Sequence, residues 1–540
     1  MVAKSARILV VGGGGTMGSS TALHLARRGY TDIRVLDVYE SPSANSAGND
    51  LNKIAGTDST GVWGELSIEA WDMWTSDPVF KPHGHAVGKL DLTSNDAREE
   101  ELRGKYERII AEGRGDTVEW LKDEEAILCK APHLKGADIK GWRGLYCSSG
   151  GWVAARDALA SVARSLRSYG VKTAFGTSGT FSSLLLSPDG SCTGVRCVDG
   201  TEWDADLVVF ATGAWSPGLI DLEGQCESKC WVYAHVQLSP DEAERMRGVP
   251  TIYNDKLGFF MEPHTTSNIL KLCNEFSGFT HLTPARPFGS NPSSSPLISV
   301  PRSHADHPTD TIPTSSLSDI RALIRTCLPH LRDRPIINQA MCWCTDMPDA
   351  RWLLCEHPRW RNLVLATGDS GHTFKMLPVV GREVVDLIEG KVGVGSGFGS
   401  DPLPALLPET LARSVSMSTI GHRKAACSSC LALLPSRRVP WTRSSPHVPH
   451  RHMFSSRVLT STRRPVLTLR APLTSLPPQL PEARRELWKW RPGRGDPEHT
   501  GRGGPPPKDI ADLPGWRHDD EEPSSKETET VSGVVSTEAA

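Results

Sequence analysis

No stretch of the 540 residues is apolar for long enough to cross a bilayer, which takes about 20 consecutive apolar residues. Charge of one sign is also not in excess. Lys plus Arg number 60 against 63 Asp plus Glu, and the formal net charge of −3 gives no global argument for nucleic acid or an anionic membrane. The opening MVAKSARILVV has no signal-peptide pattern, and the 13 cysteines are odd in number, so they are expected as thiols in a reducing compartment. No cysteine pair is spaced with a second pair or with histidines as a zinc site requires, and no metal is expected. With 38% hydrophobic residues, the chain is expected to be soluble and globular, with room for roughly two to four domains.

Glycine, in contrast, is concentrated between an apolar run and an amphipathic one in ILVVGGGGTMGSSTALHLARRGY, residues 8–30. Each glycine in an element interior costs roughly 0.5 to 1 kcal/mol against alanine, so a cluster must supply close approach that side chains would prevent. Ile8 to Val11 read as a buried parallel strand; Ala22, Leu25 and Ala26 recur at helical spacing until Gly29 stops the helix. The turn between them is Gly13-x-Gly15-x-x-Gly18, with Thr16 and Met17 opening the helix. In such a unit the first glycine makes the tight turn, the second lets a pyrophosphate touch the backbone and the third packs helix on strand. Asp37 closes the next apolar run, Ile33 to Leu36, where an acid binds the ribose hydroxyls. The unit suits a dinucleotide, NAD or FAD.

Along the rest of the chain, eight segments are expected. Residues 1–61 form the first part of the cofactor domain, 62–150 a mixed helical and substrate part, and 151–224 the second cofactor part. There, Ala155, Leu159, Val162, Ala163 and Leu166 share a helical face, Gly170 ends the helix and Val171 opens a strand toward the cofactor. Residues 225–340 alternate short strands and turns, as an antiparallel substrate sheet does, and 341–390 complete the cofactor domain. Residues 391–480 are rich in Ser, Pro and Arg without sustained periodicity and are expected to form no core. A C-terminal segment, 481–518, and an acidic tail, 519–540, complete the chain.

Two strands end alike, at Ala211-Thr212-Gly213 and Ala366-Thr367-Gly368, and two such ends favour the longer cofactor, FAD. Past the second come Asp369, Ser370, Gly371, His372, Thr373, Phe374 and Lys375, opening another helix. A helix N-terminus and a lysine there suit the negative charge of reduced flavin.

The stretches GGGGTMGSSTALHLARRGY, SAGNDLNKI, KLCNEFSGFT, ISVPRSHADHPTDTIP, AMCWCTDMPDARWLLCEHP and ATGDSGHTFKMLP, in this order, resemble the fungal fructosyl amino acid and fructosyl peptide oxidases, or amadoriases. These belong to the sarcosine and pipecolate oxidase group of flavoproteins. The resemblance covers about residues 5–390 and resumes at about 482–520. It implies an α/β fold, an FAD-binding Rossmann-like domain of glutathione reductase type interleaved with an antiparallel-sheet substrate domain. It also implies FAD held covalently through a cysteine thioether, at Cys342 in the alignment on Pro348-Asp349, with Cys344 second. Ser46, Asn49, Asn52 and Lys53 correspond to the loop covering the flavin. Lys271 corresponds to the lysine beside flavin N5 that favours reaction with oxygen. Glu275 corresponds to the acid near the substrate amine, Arg502 to the arginine on the substrate carboxylate, with Arg491 or Arg494 as alternatives, and Ser370 and Lys375 to further substrate contacts. Two departures stand out: CNEF replaces the usual CDEF, and Thr60-Gly61 stand about where relatives often carry arginine.

The implied activity is FAD-dependent oxidation of the C–N bond of a fructosyl amino acid by O2, releasing amino acid, glucosone and hydrogen peroxide. A saccharopine, pipecolate or sarcosine oxidase is the runner-up, and an NAD-dependent dehydrogenase or a non-catalytic relative is the reading from another class. The expected partners are the small substrate and O2, with no nucleic acid or membrane, and a monomeric chain. The last three residues, Glu-Ala-Ala, are not a peroxisomal tripeptide of the Ser-Lys-Leu type, so a cytoplasmic location is expected. Residues 391–480, where relatives need about ten residues, are expected to be a retained intron or gene-model error.

Overall fold

A computed structural model describes residues 2–293, 295–391, 489–490 and 506–517; the side chains of residues 275–277 lie outside that description. Contacts divide the chain into Met1–Gly395 with Leu476–Ala540, and Ser396–Ser475. All described residues belong to the first unit. The expectation for residues 391–480 therefore falls, Lys391 apart, outside the described residues, as does that for the tail.

Strand β1 (Arg7–Val11), helix α1 (Thr16–Arg27) and strand β2 (Asp32–Leu36) form the anticipated strand-turn-helix-strand unit. They centre a six-stranded sheet in the order Leu353–Glu356, Leu363–Thr367, Leu207–Phe210, β1, β2, Lys172–Ala174. Neighbours pair in parallel except Leu353–Glu356, which runs antiparallel to Leu363–Thr367. The continuous apolar runs follow from burial on both faces. Ile8, Val10 and Val35 pack under α1, while Leu9, Val11 and Leu36 pack on the other side with Phe181 and Phe210. Helix Ala155–Ser168 buries Ala155, Leu159, Val162, Ala163 and Leu166, and Gly170 ends it at φ +74°.

Helix Leu377–Ile388 crosses α1 closely enough that a Cβ on Gly381 would lie 2.2 Å from the Ser20 carbonyl. Ser20 Oγ donates to Leu377 O at 2.6 Å and accepts from Gly381 N at 2.9 Å. The helix that follows Lys375 is thus locked to the helix that starts at the glycine turn.

The second sheet has nine strands. Its main path runs Ile337–Asp346, Glu227–Gln237, Ile269–Thr280, Gly258–Phe260, Thr251–Asn254, Lys89–Thr93, Arg143–Cys147, Val118–Leu121, and Lys508–Asp509 adds beside Ile269–Thr280. Three of these strands come from residues 62–150, which the sequence presented chiefly as helical. Along Glu227–Gln237, Val232, Ala234 and Val236 face an apolar core with Ile320, Leu323 and Ile324 of helix Thr314–Cys327. Side chains alternate along a strand, so Tyr233 and His235 face the opposite way. On that face the register sets His235 opposite Lys271 and Trp231 opposite Cys342.

Candidate active site

The glycine turn lies at the ends of the parallel strands. Gly12, at φ +82°, makes the tight bend rather than Gly13, and its Cβ would lie 2.4 Å from Ala211 O. Gly13 is glycine for a different reason, because a Cβ would meet Val35 Cγ1 at 2.4 Å. Gly15 caps α1 with no side chain, and Gly18 packs where a Cβ would lie 2.4 Å from Gly12 O. A helix start leaves its first N–H groups without intrahelical partners; here Gly15 N turns back to Gly12 O at 3.4 Å, and those of Thr16 and Met17 would serve an anion. Asp37 accepts from Gly14 N at 2.9 Å and Ser43 Oγ at 2.7 Å; burial pushes its carboxyl above the ordinary value.

Both Ala-Thr-Gly ends arrive at the same edge. Thr212 Oγ1 and Ser216 Oγ lie 2.9 Å apart, Ser216 Oγ donates to Thr367 Oγ1 at 3.1 Å, and Thr367 Oγ1 reaches Gly213 O at 3.4 Å. Beyond Thr367, Asp369 Oδ1 accepts from Thr345 N and Gly371 N, both at 3.1 Å. Ser370, at φ +45°, buries its hydroxyl against Met347 N at 3.2 Å, which makes it a turn residue on the evidence of its contacts. Phe374 stacks on Trp74 with centroids 6.3 Å apart, and Trp74 Nε1 donates to Lys375 O at 2.7 Å. Val171 is buried in the core beside α1.

The loop from Ser46 to Lys53 brings the charge. Ser46 Oγ accepts from Gly48 N at 3.0 Å, and Asn49 Oδ1 from Arg156 Nε at 2.7 Å. Asn52 is fully buried, and neither Nδ2 nor Oδ1 has a hydrogen-bond partner among the described residues. Lys53 Nζ lies 2.8 Å from Asp50 Oδ2 and 3.5 Å from Cys342 Sγ. Lys271, 1% exposed, pairs with the same Asp50 Oδ2, and donates to Asn52 O at 3.1 Å. Asp50 joins two predicted residues, and the sequence reading passed over it. Burial alone would raise its carboxyl, but Lys271 and Lys53 together hold it below the ordinary range. The Cys342 thiol is lowered to about 6, first by a hydrogen bond with Cys344 and then by Lys53.

A second cluster adjoins Lys375. Lys89 and Lys105 both grip Asp58 Oδ2, at 2.8 and 2.5 Å, and Arg114 Nη2 donates to Ser59 O at 2.7 Å. The loop before Thr60-Gly61 is therefore pinned by residues from 89 to 114, which sequence reasoning had given no chemistry. Lys375 Nζ lies 3.5 Å from Ser59 Oγ; burial, with Lys89 and Lys105 behind it and Asp58 opposing, lowers it to about 8.

Asn274, the departure in CNEF, lies away from the Lys271 face. Three residues from Lys271 on one strand, it faces the other way, and its Nδ2 donates to Asp319 Oδ2 at 3.1 Å. The CNEF departure touches helix Thr314–Cys327, not the Lys271 face. Glu275 lies on strand Ile269–Thr280 with its side chain outside the description, and Arg502, Arg491 and Arg494 are outside the described residues.

The donor set fits FAD: an uncapped helix start for a diphosphate, a buried acid for a ribose, an orphaned buried amide and a cationic pair. Comparisons with known proteins agree. The family model "FAD dependent oxidoreductase" matches residues 7–387. A fructosyl peptide oxidase structure from E. terrenum is 40% identical, with 96% of this chain and 99% of that one covered at a TM-score of 0.77. The fructosamine oxidase amadoriase II of Aspergillus fumigatus is 34% identical, with 73% and 88% covered and a TM-score of 0.65. Among curated proteins, L-saccharopine oxidase of Schizosaccharomyces pombe is 27% identical over 397 residues, 71% of this chain and 90% of its own length. A glycine turn, two Ala-Thr-Gly ends and a buried Lys53–Asp50–Lys271 cluster, matched over nearly the whole length of solved relatives, place this chain among the FAD-dependent oxidoreductases, in the group of fructosyl peptide oxidases and amadoriases.

Proposed function

We propose that the chain oxidises the C–N bond of fructosyl amino acids or fructosyl peptides, consuming O2 and water and releasing the free amine, glucosone and hydrogen peroxide. The observation that carries this reading is the 40% identity to a fructosyl peptide oxidase across both chains, against 27% to saccharopine oxidase. When bound, FAD supplies the redox chemistry, taking two electrons from the substrate carbon and passing them to oxygen.

The chain's own groups bind, orient and hold charge. The first turn of α1 would hold the diphosphate and Asp37 the ribose. Asn52 offers a donor and an acceptor that nothing else among the described residues uses. Lys271 keeps a buried ammonium where oxygen gains negative charge. Glu275 and Arg502 are assigned to the amine and the carboxylate of the substrate, and Lys375 to the reduced flavin and a further substrate contact. Cys342 is assigned as the flavin attachment site, because its thiol is partly exposed, lowered to about 6 and 3.5 Å from Lys53 Nζ, whereas Cys344 is buried. The absence of arginine at Thr60-Gly61 bears on which amino acid carries the sugar.

The test is turnover of fructosyl-valine, fructosyl-lysine, a fructosyl dipeptide, saccharopine and pipecolate, with peroxide and free amine quantified together. Equal amounts of peroxide and amine from a fructosyl compound are expected. Turnover of saccharopine or pipecolate alone would move the chain to the runner-up reading.

A further inference from the structure

The carboxylate of Asp50 is committed at both oxygens. Oδ1 accepts from Leu51 N at 2.7 Å, and Oδ2 takes both ammoniums, Lys53 at 2.8 Å and Lys271. Three of its roughly four acceptor sites are thus used among the described residues, two of them by cations, which makes it a poor proton acceptor toward a substrate. Lys271 in turn depends on it. Its Nζ lies over the rings of Tyr233 and Phe259, 5.1 and 5.7 Å from their centroids. Of three ammonium donors, two are used among the described residues, by Asp50 and Asn52 O. A buried ammonium without a counter-charge favours the neutral amine.

We infer that Asp50 is a positioning residue: it keeps Lys271 charged and fixed in place, and thereby sets the pH range over which the enzyme reacts with oxygen. The inference rests on the proposed placement of Lys271 beside the flavin. The charged and titratable neighbours leave the relevant window open. Tyr233 and His235 come from Glu227–Gln237, Cys342 and Cys344 from Ile337–Asp346, Lys53 from Lys53–Gly56, and Arg156 from the start of Ala155–Ser168, its N donating to Asp50 O at 2.9 Å. Burial lowers His235 to about 4 and raises Tyr233, so both stay neutral at pH 7 to 10. Cys342 carries no proton to lose once it is bonded to the flavin. Lys375, at about 8, belongs to the Asp58 cluster and contributes equally to every variant below.

The test compares the holoenzyme with D50N, D50E, K271M and D50N/K271M between pH 6 and 10. Two quantities are read: the reduction potential of the bound FAD by dye equilibration, and the rate of single-turnover reoxidation by O2. In D50N, reoxidation near pH 6 is expected within about threefold of wild type and to fall about tenfold or more as pH rises, with an added inflection in the potential at the same pH. D50E restores the wild-type profile, and D50N/K271M loses the added inflection. D50N profiles parallel to wild type in both quantities would overturn the proposal. K271M that reoxidises at the wild-type rate would instead overturn the placement of Lys271, and the proposal with it. Should D50N not fold, D50N/K53M removes one charge of each sign and still takes the counter-charge from Lys271; it is held to the same outcomes.

Discussion

Two glycines of the first unit separate the requirement for FAD from the requirement for folding. At Gly18, φ is ordinary, but a Cβ would lie 2.4 Å from Gly12 O and 2.7 Å from Gly13 Cα, where ordinary contact is 3.4–4 Å. Both obstacles are backbone, so Gly18→Ala moves the start of α1 off the turn by about 1 Å, an overpacking cost of roughly 1 to 3 kcal/mol. At Gly29 the position is reversed: φ is +81° and nothing lies within 4 Å of a Cβ. Gly29→Ala therefore costs about 1 to 2 kcal/mol through backbone strain alone. The two variants lose comparable stability, yet only Gly18→Ala displaces the N–H groups assigned to the diphosphate. The assay, run in a Cys342→Ser background so that FAD binds reversibly, is flavin per chain in purified protein, together with the melting temperature with and without added FAD. A ligand at 100 times its Kd stabilises by about 2.7 kcal/mol, so the FAD-dependent rise in melting temperature persists in Gly29→Ala and shrinks or vanishes in Gly18→Ala. A full flavin complement and an undiminished rise in Gly18→Ala would refute the reasoning.

Other expectations follow from the same geometry. Lys375 is lowered to about 8, so the substrate KM rises as pH passes 8, and Lys375→Met raises KM roughly 10- to 100-fold and removes that dependence in steady-state assays, as loss of a hydrogen bond to a charged group predicts. In linkage terms, between pH 8 and the ordinary lysine value of 10.5 the unfolded chain holds a proton that the folded chain lacks, so this residue makes stability rise with pH in that window; chemical denaturation at several pH values, compared with Lys375→Met, reads the slope. Cys342→Ser is expected to release all flavin on acid precipitation, whereas Cys344→Ser keeps a yellow pellet; the opposite pattern moves the attachment to Cys344. Deleting residues 392–478 is expected to leave flavin content and activity at or above those of the full chain, because Lys508–Asp509 pairs with Ile269–Thr280 and Ile510 and Trp516 are buried in its core, and loop closure costs little more for long loops than short ones. A deleted chain without flavin would contradict it.

The cofactor half of the site was legible because its signals are local. The glycine turn, Asp37 and the Ala-Thr-Gly ends each read within a few residues, since a strand end and a helix start impose their requirements on adjacent positions. Even there, the turn glycine is Gly12, one place earlier than the motif count suggested, because four successive glycines leave the assignment of roles to the packing of Val35. The orientation of Asn274 was available from alternation alone, being an odd number of residues from Lys271. Asp50 was not legible in the same way. Its role depends on Lys271, 221 residues away, and an acid flanked by asparagine and leucine carries no sign of a distant partner. The Lys89, Lys105 and Arg114 grip on the loop at Asp58 to Ser59 was hidden for the same reason, and the short strands in 62–150 by their length.

The central claim is that fructosyl amino acids or peptides reduce this flavoprotein. Anaerobic mixing of the purified yellow protein with fructosyl-valine, fructosyl-lysine or a fructosyl dipeptide, followed at the flavin absorbance band, tests it most directly. The account predicts bleaching with at least one of these and return of the band when oxygen is admitted; an unchanged spectrum with all three, alongside bleaching by saccharopine or pipecolate, would contradict it.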